Sequence, residues 1–231
     1  MCCALPASAI LIRSDRDDAE YLELATRYAS SLALNAPGGE GVLISPRWVL
    51  TAAHRAKALQ ERKPAASLAF GGRQHPIEAV FIHAGWKPGG PNDIALVLLK
   101  EPVQGVRPTP PYRGSDEAGK GVVIAGSGAT GKIGEPPSAQ RADGRKRAAI
   151  NTVDRVTPAT LGLRIKPPDE ASDLQGALVP AESGAPAYLQ TPQGLFVAGI
   201  AQQAEGGWET YARVSAFAEW IEATMWRAAT R

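Results

Sequence analysis

The sequence predicts an all-β protein, a barrel or a sandwich with one helix at its C-terminal end, and three observations carry that expectation. Apolar runs of four to six residues, rich in Val, Ile, Leu and aromatic side chains, recur along the chain. Clusters of Gly and Pro punctuate them and mark turns. Sustained three- and four-residue apolar spacing is confined to the last stretch, where Val214, Phe217, Ile221 and Met225 recur in a segment starting at Ser215.

The elements follow in order. Residues 1–9 end in Ala7-Ser8-Ala9, the small-residue pattern cut by signal peptidases, and are expected to be the tail of a signal peptide, which places the protein as secreted or periplasmic. Residues 17–28 carry acids at the start, helix formers throughout and Arg27 near the end, which suits a short helix and its dipole. Residues 41–45 and 48–51, separated by Pro46-Arg47, read as an antiparallel hairpin. Further strands are expected at 67–70, 77–82, 94–99, 121–125, 148–153, 161–165, 187–190, 195–200 and 209–214. Residues 87–91 and 131–137 are Gly- and Pro-rich and read as exposed turns, and the proline-rich 107–111 divides the strands into two comparable groups.

Composition narrows the function. Lys and Arg total 25 against 23 Asp and Glu, a net charge of +2, which is too small a field to point to nucleic acid or an anionic membrane surface. The densest basic run, residues 141–147, reads as a solvated loop. No stretch approaches the roughly 18 to 20 apolar residues of a membrane-spanning helix. Cys2 and Cys3 are adjacent at the N-terminus and cannot staple distant segments, so the body is expected to stand without disulfides. His75 and His83 lack metal-ligand spacing and are expected to be structural. Gly126 to Lys132 nearly matches a phosphate-binding loop, but Ile133 offers no hydroxyl for a metal, and Gly134, Pro136 and Pro137 forbid the helix such a loop needs.

Three segments place chemistry beside apolar strands. Leu50-Thr51-Ala52-Ala53-His54 sets an imidazole, a general base near neutral pH, after two small residues that leave room for a substrate. In Asn92-Asp93-Ile94-Ala95-Leu96 a carboxylate precedes an apolar strand, where partial desolvation suits it to fix a histidine tautomer and stabilise its cation. Ala181-Glu182-Ser183-Gly184-Ala185-Pro186 offers a hydroxyl in a tight turn, with backbone N–H groups able to face an oxyanion.

Together, and in this chain order, these segments resemble the trypsin-like (chymotrypsin-type) serine peptidases, of the secreted bacterial type, whose marks are Thr-Ala-Ala-His, Asp-Ile-Ala-Leu and Gly-Asp-Ser-Gly-Gly-Pro. The likeness runs from about Gly41 onward, through the hairpin before His54 to Tyr211-Ala212-Arg213-Val214 and the final helix. It implies two packed six-stranded antiparallel β-barrels (chymotrypsin-like) with a C-terminal helix. Residues 10–110 would hold the first barrel with His54 and Asp93, and residues 111–231 the second with Ser183. It further implies a serine endopeptidase using a His54–Asp93–Ser183 triad and an acyl-enzyme, with an oxyanion hole at Ala181 and Ser183 and no metal or cofactor. The partner would be a protein or peptide substrate, with no nucleic acid and no membrane, bound to a monomer. Ala201, Gln202 and Gln203 would run antiparallel to the bound peptide, and Ala177 and Glu209 would line the pocket for the side chain at the cleaved bond. Departures cluster at the site. Ala181 stands where the family has glycine, Glu182 replaces the aspartate that pairs with a freed N-terminal amine, here Ile10 after cleavage at Ala9, and Ala177 replaces the acid of trypsins. They motivate an alternative, a catalytically impaired binding protein on the same fold.

Overall fold

The structure is a computed structural model that describes residues 10–34, 39–61, 67–70, 72–136, 139, 141–178 and 182–230; residues 1–9 and Ala181 lie outside these. Fifteen strands among the described residues form two sheets. The first is antiparallel in the order β2 (Ser31–Ala33), β3 (Glu40–Ser45), β4 (Trp48–Thr51), β7 (Ala95–Leu99), β6 (Arg73–Ile82) and β5 (Ser67–Phe70). The second follows β10 (Arg155–Val156), β11 (Thr160–Arg164), β15 (Trp208–Arg213), β14 (Gly194–Glu205), β13 (Pro186–Thr191), β8 (Gly121–Lys132), β1 (Leu11–Ile12) and β12 (Gly176–Ala177), with β9 (Arg141–Thr152) also paired to β8. β1 joins this second sheet, parallel to β8, although it precedes the first sheet in the chain.

Alternation across the pleat explains how short apolar strands build three cores. In β3, Val42 and Ile44 face one way and Leu43 the other; in β7, Leu96 and Leu98 oppose Val97 and Leu99. The inward set (Leu43, Val49, Leu68, Phe70, Val97, Leu99) fills the first barrel. Val122, Ile124, Leu161, Leu163, Leu189 and Tyr211 fill the second, with Ile10 and Ile12. The outward set of the first barrel meets Tyr188, Val197 and Ile200 of the second and the terminal helix, so β7 is buried on both faces and reads as an unbroken apolar run. Each such Leu, Ile or Val contributes about 1.5–3 kcal/mol by leaving water. Residues 107–112 cross this seam: Thr109 N–H donates to the Leu43 carbonyl of β3 (2.9 Å), and Val197 of β14 bonds Pro110 and Tyr112.

The helices are α1 (Asp18–Ala25), α2 (Ala53–Gln60) and α3 (Ala218–Ala229), the last entered through a 3-10 turn at Val214–Phe217. α1 begins with a capping box, Asp17 accepting from Ala19 N–H (3.0 Å) while Glu20 accepts from Asp17 N–H (3.1 Å). α3 buries Ile221, and the turn before it buries Val214 and Phe217. Among the described residues no helix is long and apolar enough to cross a membrane.

Two expectations need correction. Gly131 and Lys132, expected to open a turn, continue β8 beside β1, and earlier in the same strand Gly126 passes close to Glu182, whose carboxylate a Cβ there would overlap. Residues 141–147 are no solvated loop but the first half of β9, and Arg147 is only 1% exposed. Its guanidinium donates to both oxygens of Asp18 (2.6 and 2.7 Å) and of Asp143 (2.9 and 2.7 Å), tying α1 to the sheet. That pairing holds the Asp143 carboxyl at about 2 and lowers Asp18.

Replacing this cation strands two carboxylates. Arg147→Met is expected to cost about 2–3 kcal/mol at neutral pH. Because both carboxylates titrate below their unfolded values, the contribution is present above about pH 4 and is lost as pH falls toward 2. Urea midpoints should therefore separate most at pH 7 and draw together as pH falls toward 2; equal midpoints at pH 7 would contradict the assignment.

Candidate active site

Register brings His54 and Asp93 together. β4 pairs with β7 so that Thr51 faces Ala95, and the two antiparallel strands therefore deliver His54, three residues after Thr51, and Asp93, two before Ala95, to the same end of the sheet. Ala52 and Ala53 are fully buried there, at the bend into α2. Asn92 takes a left-handed conformation (φ 62°), which Asn adopts at less cost than most residues, and its side chain donates to the Gly85 carbonyl (3.2 Å). That turn aims Asp93. Its Oδ1 accepts from the His54 backbone N–H (2.9 Å), and Oδ2 lies 2.6 Å from Nδ1 of the ring. A carboxylate can only accept, so Nδ1 carries the proton and Nε2 keeps a lone pair, the tautomer of a general base.

Ser183 arrives from the other barrel. Its carbonyl accepts from Glu40 N–H (3.0 Å), and the next residue, Gly184, has φ +96° and donates to the Ala201 carbonyl (2.7 Å). A Cβ on Gly184 would overlap the Glu40 carbonyl oxygen and the Thr51 hydroxyl, so the turn rests directly on β3 and β4, three residues upstream of His54. The Ser183 hydroxyl donates to the Gln202 carbonyl (3.1 Å), and among the described residues no hydrogen bond joins it to the His54 ring. Gln202 and Gln203 line one cavity of about 390 Å³ together with His54, Asp93, Trp86, Thr160 and Thr210.

The other expected site residues divide. Ala201 uses both main-chain groups inside the protein, accepting from Gly184 and donating to Ala185 (2.9 Å), whereas β14 beyond it pairs only with β15 among the described residues. Ala177 is buried in β12 opposite Leu11, away from this cavity. Glu209 is buried too: Oε1 accepts from Leu178 N–H (2.5 Å) and Oε2 from the Tyr211 hydroxyl (2.7 Å). Burial raises its carboxyl to about 7 despite those bonds. Ala181 lies outside the described residues.

A protein-family model described as Trypsin matches residues 23–221. The chain belongs to the trypsin family. Complement C1s subcomponent of Sus scrofa is a curated relative of this trypsin-family chain, 38% identical over 82 residues; the match spans 29% of this chain and 12% of that protein.

Two residues and one helix around this trypsin-family site carry weak signals in the sequence. Trp86 sits in a segment that reads only as turn, and α2, built from Ala, Lys, Leu and Gln, was hidden behind the strand signal before it. Glu40, an acid opening a wholly apolar strand, was a signal: it is 2% exposed, Oε1 accepts from Ser127 N–H (2.8 Å), and Oε2 has no partner among the described residues. Desolvation pushes its carboxyl up to about 8, partly offset by the Ser127 bond and by Lys146.

Glu40 and Glu209 are protonated in the folded state at pH values where the unfolded chain ionises them. Their contribution is therefore complete below about pH 4.5 and is lost as pH rises through 7 to 8. Melting temperature should fall across that window, and Glu40→Gln, neutral at every pH, should flatten the fall while keeping the Glu209 share. An identical slope in the variant would contradict the placement of Glu40.

Proposed function

We propose that the chain is a serine endopeptidase in which Ser183 is the nucleophile, His54 the general base and Asp93 the group that orients it. The observation that carries the reading is the doubly hydrogen-bonded His54–Asp93 pair opening on the same cavity as Gln202, the residue whose carbonyl holds the Ser183 hydroxyl. Rotation about the Ser183 Cα–Cβ bond takes Oγ from that carbonyl toward Nε2. Substrate promotes the swing by competing for the main chain at Gln202.

In the proposed reaction Oγ attacks the scissile carbonyl carbon as Nε2 takes its proton, and the imidazolium is stabilised by Asp93. The tetrahedral oxyanion is met by the N–H of Ser183, with Ala181 as the second donor. As the intermediate collapses, the C–N bond breaks, Nε2 returns the proton to the amine, and the acyl group stays on Oγ as an ester. Water repeats the sequence, Nε2 taking its proton, and releases the acid and free Ser183. The peptide adds as a strand to the edge of β14 at Gln202 and Gln203, antiparallel to them. Ala201, whose main chain is already engaged, serves to hold the Ser183 turn. Both Glu209 oxygens already accept hydrogen bonds, so a basic substrate side chain reaching Glu209 would have to share them. Secretion fits the Ala7-Ser8-Ala9 pattern and is proposed on that ground alone.

Asp93→Asn keeps the shape of the pair but permits the wrong imidazole tautomer, so kcat on a peptide substrate should fall about 10⁴-fold with little change in melting temperature. Turnover near that of the parent protein would overturn the assignment of Asp93, and equal turnover in Ser183→Ala would overturn the mechanism.

A further inference from the structure

We propose that the outer face of β11 and β15 forms a recognition surface for acidic residues of the substrate on the N-terminal side of the scissile bond, built from Arg155, Trp208 and Arg164. The inference rests on the peptidase reading above and names a substrate class for it.

The three side chains form a stack. The Arg155 guanidinium lies 4.1 Å from the centroid of the Trp208 ring and that of Arg164 lies 5.9 Å from it. Register produces this: Trp208 is the cross-strand partner of Arg164, and Arg155 is that of Gly162. A Cβ at Gly162 would come within 3.1 Å of the Arg155 Cβ and 3.4 Å of the Trp208 ring, so the glycine is the seat that lets arginine and indole meet. A guanidinium seated over an aromatic ring is partly ordered in advance and loses less freedom when a carboxylate takes its N–H groups in pairs.

Among the described residues no acid is ion-paired to these donors. Arg147 and Arg213 each hold carboxylates, whereas neither Arg155 nor Arg164 makes an ion pair among the described residues. The adjacent Asp154 is taken by Lys166 (3.1 Å). Glu205, the exposed cross-strand partner of Trp208 on β14, is placed to compete, and one carboxylate against two guanidiniums leaves a positive excess. Glu209 points to the opposite, buried face.

The surface continues the cleft. Thr210 and Thr160 line the cavity that holds His54, and Thr210 lies two residues from Trp208 on the same face of β15, about 7 Å along the strand. Gln203 pairs with Thr210 and Glu205 with Trp208, so β14 runs from Ser183 toward the stack. A peptide antiparallel to β14 therefore reaches the stack with residues upstream of the bond to be cut.

The test compares pairs of internally quenched peptides sharing one cleavage sequence and differing only in three Asp or three Ala at the fourth to sixth positions upstream of the bond. The ratio of kcat/KM, acidic over neutral, should be about three- to tenfold in the parent protein, shrink at high salt, and fall to about one in Arg155→Ala/Arg164→Ala. The same ratio is read without turnover by fluorescence anisotropy of both peptides on Ser183→Ala protein. Cleavage with no charge preference, or a preference that survives in the double variant, overturns the surface and leaves the peptidase reading standing. Charge-selective binding that needs both arginines but no cleavage by the parent protein supports the surface and overturns the peptidase reading. Neither binding nor cleavage overturns both.

Discussion

The contact on which the rest of the structure depends is the seating of the Ser183–Gly184 turn against β3 and β4. It joins the barrels by one main-chain bond, Glu40 N–H to the Ser183 carbonyl, and by a van der Waals approach that only glycine permits at Gly184. Thr51, whose hydroxyl donates to the Glu40 carbonyl (2.6 Å), stands in that contact and also on the strand that ends at His54. A shift of the second barrel therefore moves the hydroxyl relative to the imidazole. The large apolar seam behind the turn supplies the energy that holds it there, while Ser30, Thr109 and Tyr188 satisfy one another's hydroxyls within it (2.8 and 2.9 Å).

The site is acidic beneath its surface. Glu40, Glu182 and Glu209 are all buried within the folds that carry or flank Ser183, and the first and last titrate near neutrality because water is excluded from them. Their neutral forms stabilise the fold, so a rise in pH through 7 to 8 loads charge into the barrel seam.

Much of this was legible in the sequence, and the reason is physical. β3, β4 and β7 announce themselves because strands buried on both faces must be continuously apolar, and His54 and Asp93 declare themselves by standing at the ends of such strands. The terminal helix shows its buried stripe for the same reason. What stayed hidden lacked a local signature. β8 and β9 run well past their apolar halves because a long hairpin is held by pairing, and the polar half of β9 buries Arg147 only because Asp18, far along the chain, is waiting for it. β1, β2, β10 and β12 are two or three residues long, too short for any periodicity to show. Ala177 carried a family position but no chemistry of its own, and its burial opposite β1 depends on a pairing between chain segments more than 150 residues apart.

The claim at the centre is that a serine now bonded to Gln202 is within a rotation of an imidazole already poised as a base. Labelling of the purified chain with a fluorophosphonate, mapped by peptide mass spectrometry, tests it most directly. The account predicts one adduct, on Ser183, absent in His54→Ala. Folded protein that takes up no label at Ser183 anywhere from about pH 6 to pH 9 would contradict it.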